Sequence, residues 1–401
     1  MGLNETPSSE RVHIGFFGVR NAGKSSLVNA VTGQKLSVVS DILGTTTDPV
    51  KKTMELLPIG PVVIIDTAGL DDEGKLGLMR VEKTKEVIAK TDIAVIVCDA
   101  EKDIGKYEKE LIKLFEDKKT PYIVALNKSD LVKEKRKTLE NEIYVSAALG
   151  ENINELKEKI ASFAKNKKTN KPIVSDIVGK GEVCVLITPI DESAPKGRLI
   201  LPQQMVMRDL LDAHALFFTC QPEELSSVLS ALKEKPKLVI TDSQAFARVA
   251  NDTPKGVMLT SFSILMARFK GDLEELIKGA VILSNLESDD KVLISEGCTH
   301  HRQCNDIGTV KMPGWIRNFS KNSPEFAFTS GGEFPNTEKL SEYKVVVHCG
   351  GCMLNEAEMK NRTKLCKDAG VPMVNYGIAI AYMNGILKRS LEPFSEFKDM
   401  I

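Results

Sequence analysis

A glycine-rich segment directly after the first strand-like run constrains the fold of this chain more than any other feature. Residues 13–17 form a strand-like run that is apolar after His13, and Gly18-Val-Arg-Asn-Ala-Gly23-Lys24-Ser25 follows at once, ahead of a helical stretch that starts near Ser26. Such a loop needs a strand before it and a helix after it, because its backbone N–H groups and the helix N-terminus together surround phosphate oxygens. The sequence therefore predicts an α/β unit that binds phosphate.

Apolar and amphipathic segments alternate through the first 165 residues, as in a mostly parallel sheet that is covered by helices on both faces. The predicted strands are residues 13–17, 62–65, 93–98, 122–126 and 143–145. A helix is expected from about Asn152, and the lysine-rich run 165–171 ahead of Pro172 indicates a linker.

Later apolar runs predict two further, smaller α/β regions. The runs of the first region are residues 183–187, 215–218, 238–240 and 257–259, and those of the second are 292–294, 326–328, 345–347 and 373–374. Helical segments separate these runs, for example at residues 223–233. At 401 residues the chain is longer than one core usually fills. The predicted division is residues 1–170, 171–270 and 271–401.

The glycine-rich loop offers several groups to a phosphate-bearing ligand. Lys24 would neutralise phosphate oxygens, and the Ser25 hydroxyl would ligate magnesium. The other candidate contacts in this loop are Gly18, Asn21, Ala22, Gly23 and Ser26.

Three later segments follow strand-like runs in the order that a GTP site requires. In Asp66-Thr-Ala-Gly69 the carboxylate would hold magnesium through water and the Gly69 amide would contact the γ-phosphate. Asn127-Lys128-Ser-Asp130 places a carboxylate that accepts two hydrogen bonds from guanine, which adenine does not offer. Ser146-Ala147 would offer backbone N–H groups to the guanine O6. The sequence thus predicts GTP rather than ATP as the ligand.

These motifs, over residues 11–165, resemble the GTPases of the tRNA-modifying and ribosome-assembly branch. Asn21 and the segment at residues 40–48, Ser-Asp-Ile-Leu-Gly-Thr-Thr-Thr-Asp, are similar to those of its potassium-activated members. The resemblance implies that Asn21 and Thr45 help to hold potassium and that Thr46 binds magnesium. Leu70 follows Gly69, where Ras-like proteins place a glutamine, so potassium would supply positive charge at the leaving oxygens. The expected catalytic residues are Lys24, Thr46, Asp66 and Gly69.

Five of the eight cysteines crowd into the last quarter of the chain. Cys298-Thr-His300 follows one strand-like run, and His348-Cys349-Gly-Gly-Cys352 follows another. Three thiolates at strand ends suit an iron–sulfur centre, with His300 or His348, water or an exogenous ligand on a fourth iron. A closed zinc site with three cysteines and one histidine remains an alternative, and so does a pair of buried or redox-active thiols.

Both constellations in one chain resemble the maturation GTPases of [FeFe]-hydrogenase, the HydF type. The resemblance implies a GTPase domain at 1–170, a dimerisation domain at 171–270 and a [4Fe-4S] cluster domain at 271–401. It further implies a scaffold that carries a transient diiron subcluster to apo-[FeFe]-hydrogenase after two radical-SAM maturases have acted. A homodimer is expected.

Charge and hydropathy limit the other partners. Lys and Arg total 54 against 55 Asp and Glu, so no overall charge favours nucleic acid or a membrane surface. No apolar run is long enough for a membrane helix, and we expect a cytoplasmic protein.

The alternative function is an RNA- or ribosome-associated GTPase with a structural zinc domain.

Overall fold

The computed structural model describes residues 7–33, 50–57, 59–67, 84–167, 171–190, 199–297, 306–397 and 400–401. Several predicted site residues lie outside these ranges, namely Thr45, Thr46, Gly69, Cys298 and His300. The chain divides into two units, residues 1–170 and 171–401.

The first unit contains a six-stranded sheet in the order β2-β3-β1-β4-β5-β6. Its strands are β1 (Val12–Phe17), β2 (Val50–Leu56), β3 (Gly60–Asp66), β4 (Ile93–Asp99), β5 (Tyr122–Asn127) and β6 (Glu142–Tyr144). All neighbours are parallel except β2, which runs antiparallel to β3. The sequence did not predict β2, because its mostly exposed residues lack an apolar run.

Helices cover both faces of this sheet. They are α1 (Lys24–Thr32), α2 (Lys106–Asp117) and α3 (Ile153–Lys167), and residues 84–90 are also helical, with 3-10 turns at Ser8–Glu10 and Ser129–Leu131. Successive residues of β1 point to opposite faces, so Phe16 packs in one apolar core and Phe17 in the other. Burial on both faces explains why these parallel strands are continuous apolar runs.

The second unit contains two parallel four-stranded sheets, ordered β10-β9-β7-β8 and β12-β11-β13-β14. The first sheet consists of β7 (Val183–Ile187), β8 (Leu216–Cys220), β9 (Leu238–Thr241) and β10 (Met258–Ser261). The second sheet consists of β11 (Lys291–Glu296), β12 (Glu325–Ser330), β13 (Val345–His348) and β14 (Met373–Asn375). The predicted α/β class is therefore confirmed.

The helices of the second unit connect these strands. They are α4 (Leu201–Asp212), α5 (Leu225–Ala231), α6 (Phe246–Asp252), α7 (Phe262–Lys270), α8 (Leu273–Val281), α9 (Met312–Ser320), α10 (Thr337–Leu340), α11 (Glu356–Asp368), α12 (Tyr376–Met383) and α13 (Leu387–Leu391). Short 3-10 turns lie at Pro222–Glu224, Ser243–Ala245 and Ile282–Asn285, and a short π-helix lies at Ile307–Lys311.

One continuous apolar core joins the two sheets of this unit. It extends from Ile173 to Phe394 and includes strand residues of both sheets, such as Val185 and Val346. The regions expected at 171–270 and 271–401 therefore pack as one body. Within the described residues, no helix is long and apolar enough to cross a membrane.

Candidate functional site

The phosphate loop leaves β1 through backbone conformations that only glycine adopts easily. Gly18 has φ +146°, and a Cβ atom there would lie 2.3 Å from the carbonyl oxygen of Val97. Gly23 has φ +87°, and a Cβ atom there would lie 2.3 Å from Nδ2 of Asn127. Larger side chains are excluded at both positions, so the loop passes close to the ends of β4 and β5.

Two side chains of α1 face the loop and the end of β3. The Lys24 ammonium is buried and donates hydrogen bonds to the carbonyl oxygens of Gly18 at 2.8 Å and Val19 at 2.7 Å. The Ser25 hydroxyl donates to Oδ2 of Asp66 at 2.8 Å. The other oxygen of Asp66, Oδ1, is buried and accepts no hydrogen bond from the described residues. An orphaned carboxylate oxygen beside a serine hydroxyl fits the donor set of a magnesium ion.

Asn127 joins the phosphate loop to the candidate guanine site. Its Nδ2 donates to the carbonyl oxygen of Ala22 at 3.0 Å, and its Oδ1 accepts from the backbone N–H of Ala147 at 3.1 Å. The side chain is buried. One amide therefore connects two of the segments that the sequence predicted separately.

The residues after Asn127 present a carboxylate to solvent. Lys128 has φ +65°, and its ammonium lies 2.6 Å from Oδ2 of Asp99. Burial acts to raise the pKa of Asp99, but hydrogen bonds from Lys128 and the Glu101 backbone outweigh it, so the pKa is below its ordinary value. Asp130 is exposed on the next turn, where it is accessible to a base.

Ser146 is a buried serine in the segment after β6, the other segment that the sequence predicts to contact guanine. Ser146 is wholly buried; its N–H donates to the carbonyl oxygen of Glu151, and its hydroxyl accepts from the N–H of Leu149. Since the Ser146 N–H has a partner in the chain and the Ala147 N–H binds Asn127, neither is directed at a ligand in this arrangement. Their predicted contact with guanine O6 stays a prediction.

Parallel pairing of β11 with β13 brings the two cysteine-bearing segments together. Ser295 of β11 pairs with His348 of β13. Gly297 and Cys349 therefore lie just beyond the ends of neighbouring strands, and Cys298 directly follows Gly297 in the sequence. The Cys349 thiol accepts N–H groups from Gly297 at 3.1 Å and Gly351 at 3.4 Å. Such donors stabilise a sulfur that carries negative charge, so Cys349 fits an iron–sulfur ligand.

Burial determines the protonation state of Cys349 and Cys352, the two candidate ligand thiols that the structure describes. It raises the pKa of Cys349 to about 11, despite the opposing N–H groups of Gly297 and Gly351. Burial also raises the pKa of Cys352, although the nearby Lys270 ammonium opposes this. Without a metal both thiols would be protonated at neutral pH, and binding a metal would release their protons.

His348 is engaged through both ring nitrogens. The guanidinium of Arg362, always a donor, lies 3.0 Å from Nε2, and Nδ1 lies 2.6 Å from the carbonyl oxygen of Cys349. Nε2 must therefore be the acceptor, and Nδ1 must carry the proton. Burial first and Arg362 second lower the pKa of His348 to about 3, so the ring is neutral. In this arrangement His348 orients the loop and offers no lone pair to a metal.

Three other cysteines that the structure describes lie in apolar surroundings. Cys98, Cys184 and Cys366 are buried among apolar residues, and burial raises the pKa of each thiol. Among the described residues no three His, Cys, Asp or Glu side chains come close enough to form a metal site. Cys298 and His300, the remaining predicted ligands, lie outside those residues.

Sequence reasoning missed Arg362, Glu358 and Lys270. Glu358 and Arg362 are four residues apart on α11, a spacing typical of an exposed helical pair, yet both are buried and their side chains lie 2.9 Å apart. Lys270 ends the apolar helix α7 and is also buried. Glu358 lies between Ala357 and Met359 and Lys270 follows Phe269, whereas Arg362 lies between Asn361 and Thr363 and its sequence neighbours give no sign of burial.

The sheet, the phosphate loop and the exposed Asp130 carboxylate after β5 define the first unit as a P-loop GTPase domain. Residues 13–128 match the family model of a 50S ribosome-binding GTPase. GTPase Der of Wolinella succinogenes is 36% identical over 180 residues, which are 41% of this chain and 38% of that protein. The tRNA modification GTPase MnmE of Clostridioides difficile is 38% identical over 154 residues, 36% of this chain and 33% of that protein. This chain thus spans about two fifths or less of these relatives.

The second unit identifies the family. Residues 173–271 match the hydrogen maturase F dimerization domain and residues 274–393 match the hydrogen maturase F tetramerization domain. Together the two matches extend over more than half of the chain, which therefore belongs to the hydrogen maturase F family. Among solved structures, Era from Aquifex aeolicus is similar to 38% of this chain over 56% of its own, with 26% identity and a TM-score of 0.34.

Proposed function

We propose that this protein is a GTP-hydrolysing scaffold that holds a [4Fe-4S] cluster and assembles or delivers the diiron subcluster of [FeFe]-hydrogenase. The cluster ligands would be Cys298, Cys349 and Cys352. Apo-[FeFe]-hydrogenase would receive the subcluster, and two radical-SAM maturases would act before it. Membership of the hydrogen maturase F family supports this proposal.

The Cys349 thiol is the observation that carries the cluster assignment. It is half-buried just beyond the C-terminal end of β13 and accepts two backbone N–H groups, one of them from the residue directly before Cys298. A zinc thiolate and a cluster thiolate both tolerate such donors, but three cysteines leave a four-iron cluster one protein sulfur short. An exchangeable fourth site would suit a carrier. His300 stays a candidate for it, whereas His348 would first have to release Arg362.

When bound, the cluster would supply iron sites and electron-accepting capacity that the side chains lack. The chain itself would orient the thiolates, through the Gly297 and Gly351 N–H groups, and keep His348 neutral between Cys349 and Arg362. A loop fixed at this many points would hold the cluster in one orientation for a partner.

The GTPase domain would act as a switch on partner binding. Lys24 would neutralise phosphate oxygens, and Ser25 with Asp66 would hold magnesium. Asp130 would select guanine, and Asn21 with Thr45 would hold potassium. Thr46 would bind magnesium, and the Gly69 amide would sense the γ-phosphate. We propose that the nucleotide state changes affinity for partners and leaves the metal chemistry to the second unit.

Anaerobic purification and reconstitution, followed by iron, sulfide and zinc analysis, tests the proposal. We expect about four irons and four sulfides per chain and the paramagnetic signal of a reduced [4Fe-4S] cluster. Cys298→Ser, Cys349→Ser and Cys352→Ser should each lose the cluster yet retain GTP hydrolysis, whereas Cys366→Ser is the matched control and should retain both. Stoichiometric zinc without that signal would overturn the proposal.

The second candidate is an RNA- or ribosome-associated GTPase with a structural zinc site. The 50S ribosome-binding description of the model matched at residues 13–128 favours it. The hydrogen maturase F matches over residues 173–393 oppose it. Co-sedimentation with ribosomes in GTP, together with tightly bound zinc, would establish this alternative.

A further inference from the structure

Arg362 is a buried arginine that contacts three segments around the candidate cluster site. It lies in the middle of α11 (Glu356–Asp368), and 1% of it is exposed. Its guanidinium donates to Nε2 of His348 at 3.0 Å and to the carbonyl oxygen of Gly331. Glu358, one turn earlier on α11, accepts from Nε at 3.0 Å and balances the charge. Each nitrogen of the guanidinium therefore has a partner, and the group is held in one orientation.

The contact with His348 acts on the segment after β13, which carries Cys349 and Cys352. We call residues 349–354 the cysteine loop. Nδ1 of His348 donates to the carbonyl oxygen of Cys349 at 2.6 Å. A ring that is bound at both nitrogens is fixed in orientation, and it fixes the peptide unit that follows Cys349. Arg362 thus orients the start of the cysteine loop through His348.

The contact with Gly331 acts on the segment that leads to Cys298. Gly331 directly follows β12, and its N–H donates to the carbonyl oxygen of Glu296 at 2.9 Å. Glu296 ends β11, two residues before Cys298. The guanidinium is therefore connected, through one residue on each side, to the backbone that precedes Cys298 and to the backbone of Cys349.

The same face of α11 supports the cysteine loop at a second point. Met359 precedes Arg362 by three residues, a spacing that places both side chains on one face of a helix. Gly351 has φ +61°, and a Cβ atom there would lie 2.6 Å from Sδ of Met359. The helix thus packs against the turn between the two cysteines of the loop and also orients His348.

Stability alone does not explain the buried Glu358–Arg362 pair. Replacing a buried ion pair by well-packed apolar residues is often neutral or stabilising, by about 1–4 kcal/mol. A guanidinium, however, donates several hydrogen bonds in one plane and in fixed directions, which neither an apolar side chain nor an ammonium can do. The arrangement therefore suits a group that holds loops in place.

We infer that Arg362 is a positioning residue for the iron–sulfur cluster, one that holds the two cysteine-bearing segments in place relative to each other and keeps the Nε2 lone pair of His348 away from the metal. This inference rests on the function proposed above. The cradle would be formed in the apoprotein, before any metal binds. The fourth iron site would then take a ligand other than His348.

Arg362→Lys tests the positioning role, because it retains a cation beside Glu358 and removes the planar fork that reaches both loops. Residues that orient metal ligands typically contribute about 10–100-fold to metal affinity. Iron should therefore leave the reconstituted cluster at least about tenfold faster in this variant, as measured with a ferrous chelator under anaerobic conditions. Arg268→Lys is the matched control in the same unit, where Arg268 pairs with Asp176 at 2.7 Å, and should release iron as the wild type does.

The apoprotein provides a readout that needs no cluster. The N–H groups of Gly297 and Gly351 both donate to the Cys349 thiol, so their hydrogen–deuterium exchange reports on the two segments together. Peptides that contain either glycine should exchange about fivefold faster in Arg362→Lys, the ratio expected for the loss of one net hydrogen bond. Glu358→Gln combined with Arg362→Met should have the same effect without an unpaired buried charge. If Arg362→Lys does not fold, this double variant decides.

The ligand set is measured by pulsed electron paramagnetic resonance of the reduced cluster in full-length protein that contains isotope-labelled histidine. His348→Gln should leave the histidine coupling of the wild-type cluster unchanged. A bound histidine nitrogen that disappears in His348→Gln would overturn this inference alone, and so would wild-type rates of exchange and iron release in the Arg362 variants. A wild-type protein that holds no reducible cluster would overturn the proposed function and this inference with it.

Discussion

The side-chain amide of Asn127 lies 3.0 Å from the carbonyl oxygen of Ala22 and fastens the end of β5 to the phosphate loop. Its own oxygen accepts the N–H of Ala147, so the loops that would bind phosphate and guanine share one buried side chain. The geometry of one loop therefore depends on the geometry of the other. Ligand affinity should respond to a residue that need not touch the ligand.

Replacing Asn127 with alanine should weaken GTP binding about fivefold or more, because the loss of two buried hydrogen bonds costs about 1–3 kcal/mol. Titration with a fluorescent GTP analogue measures the effect. Asn251→Ala, at an exposed position of the second unit, is the control and should bind as the wild type does. Unchanged affinity in Asn127→Ala would show that the bridge is dispensable.

Asp130→Asn should reduce affinity for GTP and increase affinity for xanthosine triphosphate, whose 2-oxo group matches the new donor. Hydrogen bonds to a charged group contribute about 1.5–3 kcal/mol, so the expected loss is about tenfold or more. Competition between GTP, ATP and xanthosine triphosphate measures the selectivity, with Asp103→Asn as the control. If the ranking of the three nucleotides stayed the same, Asp130 would not be the guanine acceptor.

Hydrolysis of GTP should be slow in sodium and faster in potassium, and Asn21 should be required for the difference. Asn21 has φ +60°, so Asn21→Gly removes the amide while it preserves the left-handed backbone. Phosphate release in matched potassium and sodium buffers measures the rates. Equal wild-type rates would refute a role for the ion, and a potassium-stimulated Asn21→Gly would refute the role of the residue.

Arg362→Met should destabilise the second unit by about 3–5 kcal/mol, because it leaves the Glu358 carboxylate buried without its cation. The guanidinium also binds His348 at 3.0 Å and lies over the Phe334 ring at 4.9 Å. Thermal unfolding of the full-length apoprotein measures the change. Glu358→Gln combined with Arg362→Met should recover part of the loss, whereas Arg208→Met, in an exposed pair, should change nothing. A stable Arg362→Met would contradict this account.

Lowering the pH should destabilise the first unit, in part because Glu142 becomes protonated. Arg136 donates to both carboxylate oxygens of Glu142, at 2.7 and 2.8 Å, and these bonds lower its pKa below the ordinary 4.5 despite burial. As the pH falls, Glu142 is therefore protonated at a higher pH in the unfolded chain than in the folded chain. This stabilisation is present above pH 4.5 and is lost as the pH falls further. In urea unfolding, Glu142→Gln should be less stable than the wild type at pH 7, and the difference should shrink at acid pH. A difference that is independent of pH would contradict the assignment.

The strands show how far sequence patterns reach in this chain. Continuous apolar runs predicted thirteen of the fourteen described strands, with bounds that agree to within two residues, because most of these strands are buried on both faces. The sequence did not predict β2, because this strand lies at the edge of the sheet and its mostly exposed residues do not form a continuous apolar run. The helix expected at 223–233 is shorter and is preceded by a 3-10 turn.

The sequence by itself determined the α/β class and the phosphate loop, and it indicated Asp130 as the candidate guanine acceptor and Cys298, Cys349 and Cys352 as candidate metal ligands. Motifs of this kind are local, because residue type, spacing and position after a strand can be recognised in the sequence without knowing where the fold places them. Only the tertiary structure decided that Asn127 connects two loops, that His348 is neutral and fully hydrogen-bonded, and that Lys270 reaches the cysteine loop. These facts depend on parallel strand pairing and on a shared core, which bring residues together that lie between 14 and 105 positions apart along the chain.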